Sequence, residues 1–189
     1  MPTHVALLRG INLGGRNKVA MADLREVVTS LGHTDVATYI QSGNVLFSTV
    51  ETDTTALAAT LERAIAEKLA VRPRVVVLSR EELAQVVRDT PYPDEPNPKN
   101  VHAVFLGAEP GPDELESLAA AQRKAAAKGS RDTAQVVGRT LFLHTPDGFG
   151  RSELAALLAG GKGGAKAIGA NGTARNWATV TKLLTLCDA

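Results

Sequence analysis

What the chain lacks narrows its chemistry first. It has one cysteine, Cys187, in 189 residues. A single thiol excludes an internal disulfide and a multi-thiolate metal site, and it fits a reducing compartment. Aromatic residues make up only 4% of the chain, with one Trp and two Tyr. A sheet that stacks RNA bases needs exposed aromatics on its strands; Phe47 and Tyr39 could serve, but no RNP-like run is present. Charge of one sign is missing too, since 21 Lys+Arg against 20 Asp+Glu leave a net +1. No large field therefore drives general binding to nucleic acid or to a membrane surface. No apolar run approaches a membrane span, and no apolar signal core follows a basic start. Histidines are scattered and no metal-ligand spacing exists. The expectation is a cytoplasmic protein with no membrane partner and no metal, to which the sequence assigns no cofactor.

What is present describes a soluble globular chain, 44% hydrophobic and 22% charged. Its length allows one large domain or two small ones. A chain of this size buries about 70% of its unfolded surface and needs no covalent staples.

Periodicity orders the first half. His4 to Leu8 reads as a strand. Leu24, Val27, Val28 and Leu31 recur at helical spacing from Met21, with Gly32 as the stop. Val36 to Ile40 and Val45 to Ser48 read as strands flanking Gln41-Ser42-Gly43-Asn44, a turn composition. A helix with the face Leu57, Leu61 and Ile65 follows a cap at Thr52, Asp53 or Thr54. Arg74 to Leu78 is a β-branched strand, and Ser79 with Glu82 forms a capping box for one more helix. The order β-α-β-β-α-β is the ferredoxin-like split βαβ arrangement.

Pro91, Pro93, Pro96 and Pro98 then interrupt both helix and ladder, so 91–100 reads as a linker between a domain at 1–90 and another at 101–189. In the second, Val101 to Leu106 is a strand and Pro112 opens a helix that Gly129 ends. Thr133 to Val137 and Thr140 to His144 flank a Gly138-Arg139 hairpin turn. A short helix runs from Glu153 to Ala159. The pattern repeats without its last strand. Gly160 to Gly172 reads as a glycine-rich loop, and a final helix starts near Thr173. On that helix Arg175, Thr179 and Lys182 share one face.

The stretch that carries the most chemistry is Arg9-Gly10-Ile11-Asn12-Leu13-Gly14-Gly15-Arg16-Asn17-Lys18. Glycine lets a backbone approach a ligand, while Arg, Lys and Asn supply donors. Placed between a strand and a helix, it reads as an anion cradle. Gly10 and Gly15 have the separation of a P-loop, but Arg16-Asn17 replaces the Lys-Ser/Thr pair, which excludes that motif. The topology requires strands one and two to end at the same edge of the sheet. This brings Gln41 to Asn44 beside Arg9 to Lys18, with Arg72 nearby. In the second half, Arg151 precedes Ser152 at a helix start, and Arg175-Asn176-Trp177 lies in the last segment. Asp147 and His144 are the one close acid–base pair, and no nucleophile set is assignable.

Several of these segments together resemble the bacterial DUF1697 family, a domain of unknown function. They are Arg9 to Gly15, Lys18, Met21, Tyr39 to Asn44, Pro146-Asp147-Gly148, Gly150-Arg151-Ser152 and Arg175-Asn176-Trp177. The resemblance implies an α+β fold of two ferredoxin-like subdomains and no established activity. The chain departs from that pattern mainly between Gly160 and Gly172, where it is longer and richer in glycine.

The sequence therefore predicts two ferredoxin-like (split β-α-β) subdomains in tandem, the second incomplete and followed by an extra C-terminal helix. It predicts a small anionic ligand, phosphate- or carboxylate-bearing, in a pocket between them. Arg9, Lys18 and Arg175 would supply charge, with Arg151 as a possible addition. Asn12, Gln41, Asn44 and Asn176 would supply neutral hydrogen bonds. Whether the ligand reacts is left open. The alternatives are RNA binding on a sheet, which the scarcity of aromatics disfavours, and a non-catalytic protein-interaction module.

Overall fold

Alternating apolar residues in short β-branched runs, separated by two amphipathic helices, build the first sheet. The computed structural model describes residues 1–159, 168 and 172–189. Residues 160–167 and 169–171, with most of the glycine-rich loop, lie outside the described residues. Two compact units form, one from 1–87 with 181–189 and the other from 88–180.

In the first unit, β1 (His4–Arg9), α1 (Met21–Ser30), β2 (Thr34–Tyr39), β3 (Asn44–Ser48), α2 (Thr54–Leu69) and β4 (Arg74–Ser79) follow in order, then α3 (Arg80–Arg88). The sheet order is β2-β3-β1-β4, with every neighbouring pair antiparallel. One face, with Ala6, Leu8, Val45, Phe47, Val75 and Val77, packs against Leu24, Val27 and Val28 of α1 and Leu57, Leu61 and Ile65 of α2. Side chains of the other face are buried too: Val5, Leu7, Leu46 and Leu78 are all at most 5% exposed. Asp53 caps α2 by accepting from the Thr55 and Ala56 amides. Ser79 and Glu82 close a reciprocal capping box on α3, at 2.8 and 3.1 Å.

The second unit contains β5 (Val101–Phe105), α4 (Pro112–Ala127), β6 (Thr133–Val137), β7 (Thr140–His144), a 3-10 turn at Phe149–Arg151, α5 (Glu153–Leu158) and β8 (Thr173–Asn176). Its sheet order is β6-β7-β5-β8, again antiparallel throughout. The core gathers Val104, Leu141 and Leu143 with Leu118 of α4 and Leu154 and Leu158 of α5.

Two expectations are corrected. The second sheet is not incomplete: β8 fills the place of the missing strand, paired with β5 from Phe105↔Thr173 to His102↔Asn176. Thr-Ala-Arg-Asn has no β-branched or apolar run to announce a strand; tertiary pairing overrides its weak propensity. Gly172 allows the approach, since a Cβ there would stand 2.6 Å from Val104 Cγ1. The final helix, α6 (Trp177–Cys187), accordingly starts after Asn176 rather than near Thr173, so Arg175 shares no helix face with Thr179 and Lys182. From Thr181 onward the chain groups with the first unit, not with the second. Residues 91–100 group with the second unit and form neither helix nor strand.

Candidate functional site

Five backbone positions between β1 and α1 take the left-handed conformation: Gly10, Asn12, Gly14, Gly15 and Asn17. Only glycine and asparagine occupy them, the residues that accept it at least cost. The loop folds on itself. The Arg16 amide donates to the Leu13 carbonyl at 2.9 Å, and these two residues pair as an isolated antiparallel bridge. The Asn12 amide donates to the Asn17 carbonyl at 3.0 Å, and Asn17 Nδ2 to the Gly10 carbonyl at 2.9 Å.

The β2–β3 turn approaches from the other side, as parallel exits from β1 and β2 require. Asn12 Nδ2 donates to the carbonyls of Gln41 and Val19, both at 3.0 Å, while its Oδ1 accepts from the Val19 amide at 2.9 Å. The Leu8 amide donates to the Gly43 carbonyl at 2.8 Å. Gly43 has φ +80°, and a Cβ there would meet Leu8 Cβ at 2.8 Å and Ile11 Cδ1 at 2.9 Å. Asn44 is fully buried and donates to the Tyr39 carbonyl and Ser42 Oγ, both at 3.0 Å. The side chains of Asn12 and Asn44 thus shape the two loops and hold them together.

The cations are differently placed. Arg9 and Arg74 are register partners at the edge where β1 ends, so their side chains leave the same face. Glu62 neutralises Arg74 across 3.8 Å and accepts from the Val75 amide at 2.9 Å. Arg72 is exposed just before β4, and Arg16, Lys18 and Gln41 are exposed on the loops. Among the described residues, no hydrogen bond or ion pair engages the side chains of Arg16, Lys18, Arg72 or Gln41. No acidic residue occurs from 5 to 22 or from 36 to 50.

Of the site residues drawn from the second half, Arg175 and Asn176 have structural partners of their own. Arg175 is only 8% exposed on β8 and donates from Nη1 to Thr173 Oγ1 and the Ala174 carbonyl, each at 2.8 Å. Burial lowers its pKa to about 10. Asn176 Oδ1 accepts from the Thr179 amide at 2.8 Å, which caps the start of α6. Arg151 is exposed in the 3-10 turn, and Ser152 caps α5 by accepting from the Ala155 amide at 2.8 Å.

His144 and Asp147 do not act as a pair; each takes a different partner. Asp147 is bridged by Arg131. His144 Nε2 lies 2.5 Å from Glu95 Oε2 in the proline-rich segment, and its ring stacks on Tyr92 with centroids 5.0 Å apart. Tyr92 Oη in turn meets Thr133 Oγ1 at 2.9 Å. Bonds from the Asn97 amide and from His144 lower the Glu95 pKa. The Glu95–His144 pair has no local signature in the sequence, because 49 residues separate its members. Nearby, His102 stacks on Phe149 at 4.0 Å, its Nδ1 is buried without a partner among the described residues, and burial lowers its pKa to about 4.

At the opposite end of the first sheet lies an open groove of about 690 Å³, lined by residues including His4, Ser79, Arg80, Glu82 and Cys187. Its arginine is already paired with Asp188 at 2.7 Å and with Glu81 at 3.6 Å, so the groove offers little to an anion. Cys187 is fully buried, and burial pushes its thiol up to about 11, which makes it unreactive near neutral pH. Phe47 is fully buried between the rings of His4 and His33 and cannot stack on a base. Among the described residues no group of His, Cys, Asp and Glu could hold a metal, and no helix is long and apolar enough to cross a membrane.

Comparison with known proteins yields a family and a fold. No curated protein matches the chain. A solved structure titled "The structure of conserved bacterial protein SP0830 from Streptococcus pneumoniae" superposes with a TM-score of 0.71 at 22% identity, covering 98% of each chain. That likeness shows a shared fold. The pattern of the family described as "Protein of unknown function (DUF1697)" matches residues 1–142, three quarters of the chain and all of the loop pair around Asn12, and the protein belongs to that family.

Proposed function

We propose that the protein binds a small anionic ligand, phosphate- or carboxylate-bearing, at the paired β1–α1 and β2–β3 loops of the first unit. One observation carries this reading. Arg16, Lys18 and Arg72 lie on segments at the end of the sheet where Arg9 closes β1, and the first three are exposed with no hydrogen-bond or ion-pair partner among the described residues. Like charges drawn together repel one another, and an anion removes that cost. The exposed Gln41 side chain would add a neutral donor from the adjoining turn, and Asn12 and Asn44 fix the loops that present the charges. Arg151 and Arg175 are not needed for this site. Loop residues 9–18 and 41–44 contain no His, Cys, Asp or Glu, which favours binding, or a transfer step that relies on positioning, over hydrolysis.

The finer fold assignment belongs to the same proposal. The order β2-β3-β1-β4 and its counterpart β6-β7-β5-β8 support two ferredoxin-like subdomains, the second now with all four strands. In that arrangement strand one and strand two end together, which makes the loop pair a feature of the fold. The lone buried cysteine supports a cytoplasmic setting.

Calorimetric titration with inorganic phosphate and with a phosphate monoester tests the site. Each charge-assisted bond contributes about 1.5–3 kcal/mol before association costs, so Arg16→Ala with Lys18→Ala should weaken binding at least about tenfold. The fold should be unaffected, since both side chains are exposed and neither makes a hydrogen bond or ion pair among the described residues. Unchanged affinity in the double variant would remove the loops from the site.

A further inference from the structure

The two loops carry something an inorganic anion does not need. Leu13 is 65% exposed and Ile40 is 50% exposed. Leu13 directly follows Asn12, Ile40 directly precedes Gln41, and Asn12 Nδ2 bonds the Gln41 carbonyl, so the two apolar side chains stand on neighbouring tips. Leu13 also pairs across its tight turn with Arg16, which sets an apolar side chain next to a cation.

Ile40 is the more telling of the two, because its φ is +51°. Every other left-handed residue of the loop pair is Gly or Asn: Gly10, Asn12, Gly14, Gly15, Asn17 and Gly43. A β-branched residue is a true outlier in that region, since its Cβ crowds the following carbonyl. A turn selected for stability alone would carry Gly or Asn there as well. An exposed isoleucine in a strained conformation, beside unpartnered cations, points to an apolar contact made outside the chain.

We propose that the ligand of this site is a small amphiphilic anion, an acyl or alkyl chain bearing a phosphate or carboxylate. Arg16 and Lys18 meet the head, and Leu13 and Ile40 meet the chain. This rests on the anion-binding reading above and adds the class of molecule. The absence of acidic residues from 5 to 22 and from 36 to 50 matches the head, and the paired tips match a short chain rather than a bilayer.

The test compares inorganic phosphate, hexyl phosphate below its micelle concentration and hexanol by calorimetry, with phosphatidylglycerol vesicles as a further arm. Each methylene that leaves water is worth about fourfold in affinity, so hexyl phosphate should bind at least about tenfold tighter than phosphate. Leu13→Ser combined with Ile40→Gly should bring that ratio close to one, and single Leu13→Ser should lower it. Arg16→Ala should weaken both anions. Phosphate bound without any preference for the hexyl ester overturns this inference and leaves the anion site standing. Failure of every anion to bind removes both. A hexyl preference that survives in the double variant, hexanol binding as tightly as its phosphate, or adsorption to vesicles without binding of monomeric hexyl phosphate each overturns the assignment of the chain contact.

Discussion

Asn12 and Gln41, 29 residues apart, are joined by one hydrogen bond in which the Asn12 side-chain amide donates to the Gln41 carbonyl at 3.0 Å. The same side chain ties Val19 through both its carbonyl and its amide, so one residue links β1, the start of α1 and the β2–β3 turn. Asn12→Ala removes all three bonds and places a Cβ residue without polar compensation at φ +53°. Net contributions of about 0.5–1.5 kcal/mol per bond predict a loss of about 2–3 kcal/mol in urea unfolding. Asn12→Gly keeps the backbone conformation and should cost less than alanine. Equal losses for the two would mean that the backbone conformation adds nothing.

Gly43 and Gly138 both have positive φ, +80° and +56°, yet they should respond differently to alanine. At Gly138 nothing lies within 4 Å of the added Cβ, so only the backbone term applies, about 1 kcal/mol. At Gly43 the methyl meets Leu8 Cβ at 2.8 Å, an atom fixed to a central strand that cannot swing aside. Gly43→Ala should cost about 3 kcal/mol or more and pull the two loops apart. Comparable unfolding midpoints for both variants would contradict the close approach of turn and strand.

The pairing of the two loops is legible in the sequence to the extent that topology alone brings parts together. Two strands joined by a crossover helix must end at the same edge, and the loop pair follows from that. The roles within the loops were not legible. Asn12 and Asn44 look like ligand donors in a one-dimensional reading, and only the folded chain shows that turn carbonyls and a backbone amide already occupy them. The left-handed backbone at Ile40 is not legible either, because a positive φ leaves no trace in a residue that rarely adopts it. β8 is not legible for a different reason: Thr173 to Asn176 becomes a strand through its pairing with β5, not through its own composition. Glu95 and His144 meet only after the proline-rich segment lies along the second unit.

His102 predicts a pH dependence. Burial lowers its pKa from 6.5 to about 4, so the folded protein favours the neutral ring. Between those values the unfolded chain binds the additional proton, and stability rises with pH. The contribution is complete above pH 6.5 and is lost as pH falls from there toward 4. With screening of a partly solvated ring allowed for, the loss should reach about 1–2 kcal/mol. Burial also lowers the pKa values of His4 and His33, which act in the same direction. His102→Phe should flatten the curve measured by urea unfolding between pH 4 and 7. A curve unchanged by the substitution would assign the dependence to other groups.

Glu95 fastens the proline-rich segment through His144 on one oxygen and through Asn97 and Asn100 on the other. Its pKa is lowered by the Asn97 amide and by His144, so the carboxylate persists in the folded state below the usual carboxylate range. Its contribution is present above the unfolded value and is lost as pH falls through the lower folded one. Glu95→Ala should speed hydrogen exchange at the Asn97 amide and protease cleavage within 91–100 at neutral pH. The core strands β5 and β7 should keep their protection. Exchange at Asn97 identical to wild type would show that the prolines alone hold the segment.

Ile40 offers the test that links stability to function. At φ +51° a β-branched side chain is strained by about 1–2 kcal/mol, whereas asparagine takes the same backbone readily and without the added chain freedom of glycine. Ile40 is also half exposed, so little burial is lost when it is replaced. Ile40→Asn should therefore raise the stability of the first unit by about 1 kcal/mol, and Ile40→Val, still β-branched, should not. If the residue is kept for an apolar ligand, the same asparagine variant should lose preference for hexyl phosphate over phosphate while it gains stability. A less stable Ile40→Asn would mean that the side chain is held by packing within the protein, and the argument from strain to ligand would fail with it.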